Sequence, residues 1–159
     1  VGMFEIKQES FIKNRPHLEI LFEFHYKEVS RHFKQNIPLD PDWERYEEFE
    51  NNNALVFLAL RFNGYLVGYF NGVVNRSLHY KRCTQLTTDL IYVHRPFRGR
   101  MLDNRTGADL LIEKAKEIAK MRECSAFDCN FKFARSTHMK RLLERHDFEP
   151  FDAHYICWL

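Results

Sequence analysis

One stretch, running from Thr87 to Lys120, constrains the fold of this chain more than any other. It reads as a buried strand over residues 89–93, then a turn rich in Arg and Gly, then a helix of about four turns. A strand that passes through a basic, glycine-bearing turn into a helix N-terminus makes an anion site. The unpaired backbone N–H groups and the positive end of the helix dipole both face the turn. Thr106 followed by Asp109 is a capping-box pattern, and Leu111, Ala115, Ile118 and Arg122 continue one helical stripe behind it.

The segments on either side supply a sheet for that unit. Residues 3–9 alternate Phe4 and Ile6 with Glu5 and Lys7, as in a strand. Asn14 as cap and Pro16 in the first turn open a helix over 15–33, with Leu18, Leu21, Phe22, His25, Val29 and Phe33 at helical spacing. Two prolines, Pro38 and Pro41, then break the chain before a short acidic helix with Trp43, Tyr46 and Phe49 on one face. Asn63-Gly64 between the apolar runs 54–62 and 65–74 is a strong hairpin signal, and 80–93 supplies a further strand. After the central helix come a short strand over 126–131, a helix over 136–146 and two closing strands, 148–150 and 154–159. The expected order is β-α-α-β-β-β-α-β-α-β-β, an α/β (α+β) arrangement with a mixed, mostly antiparallel sheet flanked by helices. No linker or repeat interrupts residues 1–159, so one domain is expected.

Composition bears on partners. A formal charge of +2 is too small to argue for nucleic acid, and no apolar run reaches membrane-spanning length. Cys83, Cys124, Cys129 and Cys157 show neither a CxxC pair nor a zinc-like spacing with His. They read as thiols in a reducing compartment, with no metal implied, which points to the cytoplasm.

Beyond these patterns, the order of elements over nearly the whole chain resembles the Gcn5-related N-acetyltransferase family. The hairpin Asn63-Gly64-Tyr65-Leu66-Val67-Gly68 is similar to the family's turn between its second and third strands. The run Ile91-Tyr92-Val93-His94-Arg95-Pro96-Phe97-Arg98-Gly99 resembles the end of strand four entering the acyl-CoA pyrophosphate loop, and Gly107-Ala108-Asp109-Leu110-Leu111 the helix that follows. Residues 141–150 resemble the late helix-to-strand stretch. Leu78-His79-Tyr80-Lys81 and Leu142-Leu143-Glu144-Arg145 also resemble small acetyltransferase-like proteins of tailed bacteriophages. The family's loop motif is [Gln/Arg]-x-x-Gly-x-[Gly/Ala], and this chain departs from it. Met101-Leu102-Asp103-Asn104 intervenes between Arg98-Gly99-Arg100 and Thr106-Gly107, and Arg105 stands where a Gly is expected, so the loop is lengthened.

The resemblance implies an N-acetyltransferase with acetyl-CoA as acyl donor and no metal. The acceptor would be an amine on a small molecule or a protein, with a homodimer among the assemblies open to it. It puts the pantetheine arm on Ile91, Tyr92 and Val93. The pyrophosphate falls on Arg98, Gly99, Arg100, Arg105, Thr106, Gly107 and Ala108, where forked Arg cations suit phosphate oxygens.

Transfer to an amine needs a base near it, donors at the thioester oxygen, and a proton source for the leaving thiolate. Asp89 is the candidate base, placed by the two-residue period on the same face as Ile91 and Val93. Desolvation among apolar strand neighbours would suit it to take a proton near neutral pH; the plainer alternative is pairing with a cation or a solvated bulge. The family's late-helix Tyr is replaced by Leu143, so Tyr155 on the last strand is the candidate acid, with Tyr92 as a further one. Strand tyrosines are more often core with the hydroxyl at the rim. His94 more simply ends its strand, Cys129 reads as a buried inert thiol, and Lys132, Arg135, Lys140, Arg141 and Arg145 read as a solvated face. The split loop and the missing Tyr leave a second reading open: a catalytically inactive acetyltransferase-like fold serving as a structural or interaction module.

Overall fold

Residues 2–131, 136–152 and 154–159 are described by the structure, a computed structural model; Lys132 and Arg135 lie outside them. Five strands form one sheet in the order β1-β2-β3-β4-β7: β1 (Phe4–Gln8), β2 (Leu55–Phe62), β3 (Tyr65–Arg76), β4 (Thr84–Val93) and β7 (Ala126–Asp128). Neighbours are antiparallel except β4 and β7, which run parallel. A separate two-stranded ribbon pairs β5 (Met101–Leu102) with β6 (Arg105–Thr106).

The apolar run in β2 is nearly continuous because both of its faces are covered. Val56, Leu58 and Leu60 pack with Leu111, Ala115 and Ile118 of α4 (Gly107–Met121) on one side. Leu55, Phe57 and Ala59 face the other side, against α1 (Arg15–Val29) and α3 (Trp43–Asn51). That second layer is built on rings: Phe22 stacks on Trp43 at 5.7 Å, and Phe11 lies 4.4 Å from Tyr46. α5 (Ser136–Glu144) closes the α4 side, with Leu142 and Leu143 packed on Ile112 and Phe127.

Most expected elements form, and three expectations change. The first helix stops at Val29, because Ser30 turns extended and its Oγ accepts from His32 N–H, starting the short α2 (Arg31–Lys34). Asn14 does not cap α1. Its backbone is helical, and its buried amide donates to Glu9 and to the Ser10 carbonyl while accepting from Arg61. The two closing strands are absent: residues 148–152 and 154–159 pair with no strand among the described residues. Alternating side chains permit a strand, but a strand also needs a ladder partner, and Pro150 removes one donor.

The hairpin at Asn63-Gly64 has positive φ at both residues, 50° and 84°, as a type I′ turn requires. Gly68, further along β3, is needed for closeness rather than for φ. A Cβ there would lie 2.7 Å from the Tyr92 carbonyl oxygen and 3.2 Å from Val93 Cα. Gly68→Ala is therefore expected to lose about 1–3 kcal/mol by overpacking the end of β4. Urea unfolding measures this, and an unchanged midpoint would show that β3 and β4 can part without cost.

Candidate active site

β4 is paired on both edges only at its start. Its parallel register with β7 covers Gln85, Leu86 and Thr87, and beyond Thr87 only β3 pairs with it among the described residues. Past Thr87 the strand thus has no second ladder partner across Ile91, Tyr92 and Val93 among the described residues, its Val93 carbonyl being met instead by Arg98. It ends beside the N-terminus of α4, where a Cβ on Gly107 would lie 3.7 Å from Val93 Cγ1. Val93 and Tyr92 are buried side chains on opposite faces, and Ile91 is half-buried against the α4 layer.

At that terminus the capping box forms as read. Thr106 Oγ1 accepts from Asp109 N–H at 3.3 Å, and Asp109 Oδ2 accepts from Thr106 N–H and Oγ1 at 2.8 and 2.7 Å. The other half of this cluster has no signature in the sequence. Asp109 Oδ1 accepts from Arg145 Nε at 2.5 Å and lies 2.9 Å from His146 Nε2, which ties α4 to the chain leaving α5. Burial works against ionisation of Asp109, but Arg145 and Thr106 outweigh it and hold the carboxyl well below the usual range. One terminal donor is thereby used. The N–H groups of Gly107 and Ala108, the first two residues of α4, have no partner within the helix and remain for an anion.

The lengthened loop is not loose. After a 3-10 turn at Arg95–Phe97, the extra residues fold into the β5–β6 hairpin, with Asp103 and Asn104 at φ 50° and 62°. The insertion is absorbed as a ribbon whose last residue, Thr106, is the helix cap. Gly99 stands in open space.

The three arginines expected to meet phosphate each have a partner within the protein. Arg98 is held in a fork by Glu28 of α1 at 2.6 and 2.9 Å, donates to the Val93 carbonyl at 2.7 Å, and lies over the Tyr92 ring. Arg105 pairs with Glu113 at 2.9 Å, and Arg100 lies over Phe62 and Phe97. The exposed Arg105 pair is cheap to exchange, since such pairs contribute about 0–1 kcal/mol. The Arg98 fork is charge-assisted and better shielded, so it holds its residue more firmly.

Asp89 differs from expectation in two respects. The register between β3 and β4 shifts at Asn71/Gly72, leaving Asp89 as the extra residue of a β-bulge. The bulge turns its side chain to the α1/α3 face, opposite Ile91 and Val93, where Oδ2 accepts from Tyr46 OH at 2.6 Å and Asn71 Nδ2 at 3.0 Å. Asp89 is also exposed, so hydrogen bonds rather than desolvation define its surroundings.

Near it on the same face, Tyr69 OH and His25 Nδ1 meet at 2.7 Å, and His25 stacks on Tyr92 at 4.7 Å. Tyr92 OH donates to Glu28 at 3.2 Å, and burial with that carboxylate pushes its phenol up to about 12. Tyr155 is not brought to this group: it is 95% exposed in the C-terminal segment. Leu143 is core, His94 donates its N–H to Val67 and packs on Phe24, and burial pushes the Cys129 thiol up to about 11. A thiol so raised is a poor nucleophile near neutral pH.

No family model and no curated protein matches this sequence. Solved structures do match over the full chain. An aminoglycoside acetyltransferase from an uncultured soil metagenomic sample superposes with a TM-score of 0.74 at 16% identity, covering 99% of both chains. The ribosomal-protein-alanine N-acetyltransferase of Brucella melitensis biovar Abortus 2308 gives 0.69 at 18% identity, covering 100% of this chain and 99% of that one. Glucosamine-6-phosphate N-acetyltransferase from Arabidopsis thaliana gives 0.68 at 11% identity, covering 98% of each. The fold of this chain is therefore that of the Gcn5-related N-acetyltransferases.

Proposed function

We propose that the protein is an acetyl-CoA-dependent N-acetyltransferase acting on a primary amine in the cytoplasm. The observation that carries this reading is that β4, past Thr87, has no second ladder partner among the described residues and ends beside the α4 terminus, where the Gly107 and Ala108 N–H groups have no acceptor within the helix. Such a strand end suits the amide-bearing pantetheine arm, and the terminus suits the pyrophosphate. Acetyl-CoA would supply an activated acyl carbon. The amine nitrogen bonds to that carbon as the carbon–sulfur bond breaks, and Asp89 takes the proton the amine sheds, directly or through water. The leaving thiolate takes a proton from solvent. An ordinary thiol titrates at about 8.5, so the reaction does not need the exposed Tyr155 as its acid. Glu44, Glu47 and Glu48, exposed on the helix that delivers Tyr46, favour a cationic acceptor, whether a small molecule or a basic protein segment.

Saturating acetyl-CoA is expected to raise the melting temperature, since a ligand at 100 times its Kd adds about 2.7 kcal/mol to the native state. Differential scanning fluorimetry measures it, with CoA as competitor. The second reading, a non-catalytic module, is favoured by the internal pairing of Arg98 with Glu28. It predicts no shift with either ligand.

A further inference from the structure

Asp89 has two carboxylate oxygens in different situations. Oδ2 takes both donors, Tyr46 from α3 and Asn71 from the neighbouring strand, while Oδ1 has no partner among the described residues. The two donors come from separate elements, so together they fix the rotamer and decide which oxygen faces outward. Asn71 is fully buried in the centre of the sheet, and its own Oδ1 is left without a hydrogen bond. A polar side chain that accepts that loss in the core is costly for stability, and such costs persist where function holds them.

Building on the acetyltransferase reading, we propose that Tyr46 and Asn71 are positioning residues that clamp Asp89 Oδ2 and leave Oδ1 to take the proton of the acceptor amine. The bulge supplies the third part of the device, since it turns Asp89 to the face where both donors lie. Burial and the Asp89 charge push the Tyr46 phenol far above its ordinary value, so Tyr46 stays a donor throughout the working pH range. Tyr46 also packs its ring on Phe11, a contact that Phe at this position preserves.

Turnover of acetyl-CoA with sisomicin, spermidine and a peptide with a free N-terminal alanine as amine probes tests the proposal. Tyr46→Phe is expected to lose roughly 10- to 100-fold in kcat, the scale of a misplaced catalytic group, with KM for acetyl-CoA within about twofold. Asn71→Leu is expected to lose turnover while holding or raising the melting temperature, because it removes the orphaned acceptor along with the clamp. A purely structural role would lower both together. On an Asp89→Asn background, Tyr46→Phe should cost nothing further, since its effect passes through Asp89. Near-wild-type turnover in both single variants, or a Tyr46→Phe loss that persists in full without Asp89, overturns the clamp while leaving the acetyltransferase reading intact. A wild type that turns over none of the probes and shows no thermal shift with acetyl-CoA overturns that reading, and the clamp falls with it.

Discussion

Asp89→Asn is expected to lower kcat by about two to four orders of magnitude, the range that a positioned base contributes. The substitution keeps the shape of the side chain and an oxygen able to accept from Tyr46 and Asn71, so both hydrogen bonds can persist. Asp89 is exposed, and replacing an exposed carboxylate by its amide should change stability by less than about 0.5 kcal/mol. The thermal shift with acetyl-CoA should also survive, because the end of β4 and the α4 terminus are untouched. Steady-state kinetics beside a thermal-shift titration separates these quantities. Lost turnover with retained binding places Asp89 in the chemistry. Retained turnover removes it, and Glu28 is then the next carboxylate on that face, though it is committed to Arg98 and Tyr92.

The difference between Asp89 as expected and Asp89 as found shows where periodicity stops being informative. The two-residue period holds along a regular strand, and in β2 it sorts Leu55 through Leu60 alternately onto the two layers. A single bulge reverses it for everything beyond. Nothing in β4 itself signals this bulge: its run holds no glycine, and Gly72 at this point lies on the facing strand β3. Asn71 and Tyr46 carried no signal either, because their pairing with Asp89 depends on how α3 lies across the sheet. The β5–β6 hairpin was hidden for a related reason: Asp103-Asn104 is a weaker turn dipeptide than Asn63-Gly64, yet both adopt positive φ at both residues. The Asn63-Gly64 turn, helix α4 and its capping box were legible because each is determined by neighbours in sequence. The closing strands were misjudged because a strand is decided by its partner, and residues 148–152 and 154–159 meet none among the described residues.

Asp109 joins local and long-range determinants, and its removal should cost the most stability. Asp109→Ala eliminates the reciprocal cap at α4, worth about 0.5–2 kcal/mol, and the charge-assisted bond to Arg145, worth about 1.5–3 kcal/mol. Arg145 is half-exposed and can return to water, so the sum should stay near the lower part of that combined range, about 2–3 kcal/mol. The pH dependence follows from the direction of the Asp109 shift. Its folded-state value is depressed below that of an unfolded carboxylate, so the native state holds fewer protons than the unfolded one in the window between the two. The contribution is whole above the unfolded value of about 3.9 and is lost as pH falls through the folded value. Chemical denaturation followed from pH 7 into acid should therefore show a wild-type advantage over Asp109→Ala that narrows only below about pH 4. An advantage already shrinking near pH 6 would show that the Asp109 carboxylate does not carry this stability. Because Asp109 sits three residues from the cap, its loss should also loosen the N–H groups of Gly107 and Ala108. A weakened acetyl-CoA shift in whatever folded fraction of Asp109→Ala remains would then tie the stability of this terminus to its use as a phosphate site.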